Sequence, residues 1–398
     1  MALFWPIAKV LCFNLAAVLG VLIYEFYLLR ENYIRYAPAL EDKDHTMRAA
    51  QFSETGEPFV IKTRTIPRPQ CCEMTQVLIK VGTGGLNPVD FKMRRNANIN
   101  MTRALPVVSG FDFSGHVEQI GSGVLGYRPG DIVYGMLPLQ GQSWGAFQEY
   151  VVANYTIIAH APTKISAREA AGLPLVGLTT IHAMAPVLRA WQKQGQSSKD
   201  KKILVHAGAG GVGSFAIQYC KHVLKMHVAT TVSAPKAVLV KSLGADEVVN
   251  YKEQKFEDVV KNFDVVLDTV AQEYEQRTLS SSVLKSGGEG HYIHVLSSDW
   301  QPNSREENPL ILMVLPFLRK WGYSLIADLF GIGIHYHCDP VSPDAQGLRS
   351  IASWVNEGLI KPVVDRSFSL NEVAKAHEYL EKGRATGKVL IEIGTITE

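Results

Sequence analysis

The chain has 398 residues, 46% hydrophobic and 20% charged, with a formal net charge of +2. That length accommodates two domains and that balance excludes a disordered chain, while the near-neutral charge, with no basic stripe, gives no electrostatic case for nucleic acid. None of the five cysteines forms a C-x-x-C pair, so neither a disulfide framework nor a zinc ribbon is indicated.

Residues 3–29 are strongly apolar. Counted from Leu3, with Lys9 snorkelling, the run is long enough to cross a bilayer. No A-x-A-like cleavage site closes it, so residues 1–36 are expected to form an uncleaved hydrophobic anchor helix. Arg30 and Arg35 follow the run. This positive-inside bias turns the rest of the chain toward the cytosol, at the endoplasmic reticulum or the mitochondrial outer membrane. A cleaved targeting peptide with a mitochondrial address and a helix lying on the protein are the alternatives. Residues 37–46 carry Pro38 and mixed charge (Glu41, Asp42, Lys43, Asp44) and read as a linker.

From Met47 the texture changes to short apolar runs punctuated by glycine and proline, such as 77–81, 113–121 and 145–153. Residues 47–166 therefore read as a partly closed β-barrel or sandwich. A helical stretch, Ala167–Leu188, interrupted at Gly172, Pro174 and Gly177, leads into a second unit over 167–334. Residues 335–398 return to β-rich sequence.

The second unit opens on KILVHAGAGGVG, in which an apolar strand runs into Gly208, Gly210 and Gly213 and then into a helical pattern. The spacing is G-x-G-x-x-G. Gly208 permits the tight turn, Gly210 lets backbone N–H groups approach a pyrophosphate, and Gly213 lets the helix pack on the strand. The helix N-terminus adds partial positive charge there. Gly208, Gly210, Gly211, Val212 and Gly213 are thus expected to bind a dinucleotide. Repeated β-α-β texture follows to about residue 295 and predicts a doubly wound parallel sheet, a Rossmann fold. An acid about 20 residues past the glycines would favour NAD. Ser233 stands there instead, with Lys236 close behind. A hydroxyl and a cation suit the 2′-phosphate of NADP. Both residues also read as ordinary features of a helix start, Ser233 as its cap.

The order of parts resembles the medium-chain dehydrogenase/reductase superfamily, and within it the zinc-independent quinone oxidoreductase branch. The markers are LNPVDFKMR at 86–94, GFDFSG at 110–115, PGD at 129–131, AAGLPLVGLTTIHA at 170–183, AGAGGVG at 207–213, LGADEVVNY at 243–251 and GKVLIEI at 387–393. The chain is similar to mitochondrial reticulon-interacting NADPH oxidoreductases and plant alkenal/one reductases. The resemblance implies an α/β architecture, with a GroES-like barrel beside the Rossmann domain. It implies NADPH as the hydride source and a quinone or an α,β-unsaturated carbonyl as acceptor. It implies that Thr180 packs on the nicotinamide, that Tyr251 meets the adenine or its 2′-phosphate, and that Lys388 touches the cofactor. Zinc-dependent relatives carry cysteine near the position of Asn87 and His-Glu where this chain has Phe111-Asp112, so no metal is expected. Relatives also place two glycines after Val270, where this chain has Ala271-Gln272.

Asn87 is the first candidate to donate to the developing oxyanion, and a plain turn residue otherwise. Tyr134 is a candidate proton donor, set against a packing role. Asp90 and Arg94 are spaced for a salt bridge on one helical face. His335 and His337 share a strand face, but a third metal ligand is not visible. The apolar stretch 309–334 leaves open a wall for a small hydrophobic substrate, a homodimer surface, or a membrane contact. A catalytically weak NADPH-binding scaffold at a membrane is the competing function, kept open by the missing glycine pair and the lack of an evident proton donor.

Overall fold

A computed structural model describes residues 41–70, 73–95, 105–139, 144–271, 273–295, 333–338 and 340–395. The expected anchor over 1–36 lies outside the described residues, as do Cys71, Cys72, Gln272 and most of the stretch 309–334. Among the described residues no helix is long and apolar enough to cross a membrane.

The amino-terminal half is antiparallel. Strands β1 (Glu41–Phe52) and β2 (Lys62–Pro69) pair with each other, and β3 (Gln76–Leu86) leads into helix α1 (Pro88–Arg95). Then come β4 (Val107–Val108), β5 (Asp112–Ile120), β6 (Ile132–Met136), β7 (Tyr150–Asn154) and β8 (Ile158–His160). On β7 burial alternates residue by residue, as expected of a strand with one face on a core. Residues 41–46, expected as linker, already belong to β1. Their pairing with β2 shifts register between Asp42 and Thr46, so the charged stretch falls in an irregular part of that ladder.

The expected helix over Ala167–Leu188 is two helices, α2 (Ala167–Ala170) and α3 (Pro174–Lys193). A capping box between Ser166 and Glu169 starts α2. Pro174 opens α3 from its first turn, where the missing N–H costs nothing, rather than interrupting it.

The second half alternates strand and helix: β9 (Lys202–Val205), α4 (Gly211–Gln218), β10 (His227–Val232), α5 (Ala237–Ser242), β11 (Glu247–Asn250), α6 (Phe256–Val259), β12 (Val265–Asp268), α7 (Glu273–Leu279), β13 (Gly290–His294) and β14 (Ile334–His337). The six strands form one sheet in the order β11-β10-β9-β12-β13-β14, and every pairing in it is parallel. Strand β12 is buried at every position, as a sheet covered on both faces requires. His335 and His337 lie in β14, which pairs with β13 in this parallel sheet.

The chain then returns through α8 (Ala345–Asn356), β15 (Val364–Ser369), α9 (Val373–Glu381) and β16 (Lys388–Glu392). Strand β16 inserts between β15 and β3, completing a sheet of order β15-β16-β3-β5-β6-β8 with β7 beside β3. Its first residue, Lys388, enters the barrel next to the glycine turn, because Gly210 and Gly387 bridge the two halves.

Candidate active site

In the parallel sheet the strand order reverses beside β9, and the glycine turn leaves the end of that strand. That is the crevice where open α/β sheets bind their ligands. A Cβ on Gly208 would stand 1.9 Å from Thr230 Oγ1, and one on Gly213 2.4 Å from the Ala207 carbonyl. Both positions exclude a side chain. At Gly210 a Cβ would meet nothing nearer than Ala207 O at 3.3 Å, so its backbone lies open to a ligand. Gly211, Val212 and Gly213 begin α4, and their N–H groups have no preceding turn to accept them. The cradle fits a pyrophosphate.

At the far end of β10, Ser233 and Lys236 flank a single turn, and the Tyr251 N–H donates to Val232 O at 3.3 Å. Tyr251 is half exposed and available for stacking. Ser233 does not cap the following turn through its side chain. Lys236 Nζ donates to the carbonyls of Arg384 and Ala385, at 3.1 and 3.0 Å. The exposed Arg384 therefore shares this edge, a cation that the sequence did not flag because the contact spans 148 positions.

Asn87, Asp112 and Lys388 meet in a buried cluster. Lys388 Nζ donates to Asn87 Oδ1 at 2.5 Å and to Asp112 Oδ2 at 3.1 Å. Asn87 Nδ2 donates to Asp112 Oδ2 at 2.9 Å and to Gly85 O at 3.0 Å. Asp112 Oδ1 accepts the Leu175 N–H at 2.9 Å, in the first turn of α3, where a helix favours an anion. Burial pushes the Asp112 carboxyl up, against the opposing pull of Lys388, Asn87 and the Leu175 N–H. A Cβ on Gly211 would touch the Lys388 side chain at 3.4 Å, so the ammonium stem runs alongside the start of α4.

Three sequence expectations change here. Asn87 holds no free amide N–H, since Gly85 and Asp112 take both, so it does not stand ready to donate to an oxyanion. The Tyr134 hydroxyl donates to Leu348 O at 2.5 Å in full burial, which pushes its pKa up. The hydroxyl ties β6 to α8, its proton engaged by that carbonyl. Arg94 pairs with Glu381 of α9, not with Asp90, whose carboxylate takes the Asn87 N–H at 2.6 Å. Thr180 keeps its place as a candidate packing residue: it is buried and donates to Val176 O at 2.9 Å, so toward a ligand it could only accept.

The Val270-Ala271 turn follows β12. Asp268 Oδ1 accepts both of its N–H groups, at 2.7 and 2.8 Å, and Oδ2 accepts the Tyr292 hydroxyl at 2.6 Å. Ala271 takes φ +63°, the left-handed region that a glycine would occupy without strain. On the opposite edge of the sheet, His337 finds a neighbour invisible in sequence: His291 Nδ1 lies 3.0 Å from its Nε2. Among the described residues, however, no group of three His, Cys, Asp or Glu side chains is placed to hold a metal ion.

Two family models match the chain: an alcohol dehydrogenase GroES-like domain over residues 73–163 and a zinc-binding dehydrogenase over residues 243–391. A 2-methylene-furan-3-one reductase from Solanum lycopersicum is 35% identical over 87% of this chain and 79% of its own. The mitochondrial NAD(P)H oxidoreductase RTN4IP1 of Danio rerio is 30% identical over 80% and 84%. The solved quinone oxidoreductase of Coxiella burnetii superposes with a TM-score of 0.71 at 29% identity, over 87% of this chain and 99% of that one. The chain belongs to the medium-chain dehydrogenase/reductase superfamily. Within it, the chain is an NADP-dependent oxidoreductase of the quinone and enone reductase type.

Proposed function

We propose that this protein transfers hydride from NADPH to a small hydrophobic quinone or α,β-unsaturated carbonyl, without zinc. The observation that carries the reading is the open glycine turn at the sheet's reversal point with the Lys388 ammonium beside it. Gly208, Gly210, Gly211, Val212 and Gly213 would hold the pyrophosphate. Ser233, Lys236 and Tyr251, with Arg384 nearby, would receive the 2′-phosphate. When bound, the cofactor supplies the hydride. Lys388 uses two of its three N–H donors on Asn87 and Asp112, and the third has no partner among the described residues. That donor can stabilise negative charge developing on the acceptor oxygen, or hold a cofactor hydroxyl. The same ammonium supports a zinc-free site, since it already places positive charge between the residues at the zinc-ligand positions of relatives. The names of the Solanum and Coxiella relatives favour enones and quinones as acceptors.

The test is consumption of NADPH and of NADH with a panel of quinones and enals. Turnover with NADPH in preference to NADH supports the reading; a preference for NADH removes the role given to Ser233 and Lys236. A second reading, an NADPH-binding scaffold with little turnover, draws support from the engaged Asn87 amide and Tyr134 hydroxyl. It predicts binding without consumption of either nucleotide.

The amino-terminal run keeps its place here as a membrane anchor, supported by its apolar length and flanking charge. The name of the Danio relative favours a mitochondrial address. Sedimentation of the full chain with membranes, and release of a chain beginning at Glu41, would support the anchor. Equal release of both would remove it.

A further inference from the structure

We propose that Lys236 is a positioning residue that couples the adenosine edge of the cofactor site to the buried Lys388 cluster, whether or not a 2′-phosphate is present. The inference rests on the NADPH reading above but concerns a different property of the residue. Lys236 Nζ donates to two consecutive carbonyls, Arg384 at 3.1 Å and Ala385 at 3.0 Å. From there the chain runs without slack into the site. The Thr386 N–H donates to Asp365 Oδ2 at 3.1 Å. The Gly387 N–H donates to Ala209 O at 2.8 Å, inside the glycine turn. Gly387 holds φ +78°, and a Cβ there would come within 2.2 Å of Val363 O, so no other residue fits. The Lys388 N–H then donates to Val363 O at 2.8 Å, and its side chain reaches Asn87 and Asp112.

Residues 384–388 are therefore pinned at both ends, by the Lys236 ammonium at one and the glycine turn at the other. The ammonium end is the more exposed one: Arg384 lies at the surface and Ala385 is partly buried, and there a charge-assisted bond holds both carbonyls. An ammonium has three donors. Two serve the carbonyls, which leaves one for a phosphate, so phosphate binding and the tether are compatible. NADH lacks the phosphate and isolates the tether.

The experiment compares the full-chain protein with Lys236→Met and Lys236→Arg, by hydrogen–deuterium exchange of residues 384–390 without nucleotide and by turnover with NADH. Lys236→Met is expected to speed exchange at the Gly387 and Lys388 amides by about tenfold. Its kcat with NADH is expected to fall by about threefold to tenfold, with little change in KM. Lys236→Arg, which keeps a multidentate cation, is expected to restore both. Unchanged exchange at Gly387 and Lys388 in Lys236→Met overturns the proposal, and so does wild-type NADH turnover with the entire loss in the KM for NADPH. Because the exchange measurement needs no turnover, it separates failure of the tether from failure of the reductase reading.

Discussion

Asp112 and Lys388 lie 276 positions apart and form a buried ion pair that no local pattern announces. GFDFSG and GKVLIEI mark each residue separately, but only the folded chain brings them to Asn87. Removing one partner leaves a buried charge alone, so Lys388→Met and Asp112→Asn should each cost about 3–5 kcal/mol in urea denaturation. The double variant should cost less than the two added, and additive costs would contradict a direct pair. Tyr134 makes the opposite prediction. Its strand position was legible, but its role was not, because the acceptor is a carbonyl on α8. Tyr134→Phe should lose about 0.5–1.5 kcal/mol of stability, the net worth of one hydrogen bond to a carbonyl that its helix also pairs, and keep kcat within about twofold. A hundredfold fall in kcat would restore the tyrosine as proton donor.

At the scale of elements, the sequence was most legible where one segment carries its own reason. The glycine spacing located the turn, since Gly208 and Gly213 answer to contacts with the neighbouring strand and within the turn, while Gly210 leaves its backbone open. It was least legible at boundaries. Pro174 read as an interruption but begins a helix in its first turn, and Pro186 lies inside that same helix without ending it, so proline alone does not mark the boundary. The charged residues 41–46 read as linker, yet they pair with one neighbour, β2, and strands with a free edge commonly carry charge. The turns also store strain. Ala207, exposed at φ +52° at the start of the glycine turn, occupies a region that costs a non-glycine residue about 1–2 kcal/mol. Ala207→Gly should therefore raise stability by about 0.5–1 kcal/mol after the added freedom of the unfolded chain is counted. Gly208→Ala should lower it by about 1–3 kcal/mol, because its methyl group would strike Thr230. Thermal melts of the two variants should shift in opposite directions.

At the scale of the whole molecule, one returning strand joins the six-stranded parallel sheet to the seven-stranded one, and the folded chain buries several histidines. Burial lowers His206 to about 4 and His291 to about 3, the latter helped by His337 and His335, and holds His377 well below its ordinary value. In each case the folded-state pKa lies below the unfolded one, so the unfolded chain takes up the proton first. Stability is complete above about pH 6.5 and falls as pH drops toward about 4, by about 1.4 kcal/mol per pH unit for each histidine. Urea midpoints at pH 7.5, 6 and 5 should decline accordingly, and His206→Gln should flatten the slope. Equal midpoints at pH 7.5 and 5 would contradict the burial of these neutral rings.

The glycine turn, the Lys388 cluster and the tether at Lys236 all serve one claim, that reducing equivalents pass from NADPH to a carbon acceptor held beside the turn. The most direct measurement is the fate of the label when the protein reduces an enal with NADPH deuterated at the transferring position of C4. The account predicts one deuterium on the β-carbon of the saturated product for each NADPH consumed. Bound NADPH with no product, or a product without the label, would contradict it.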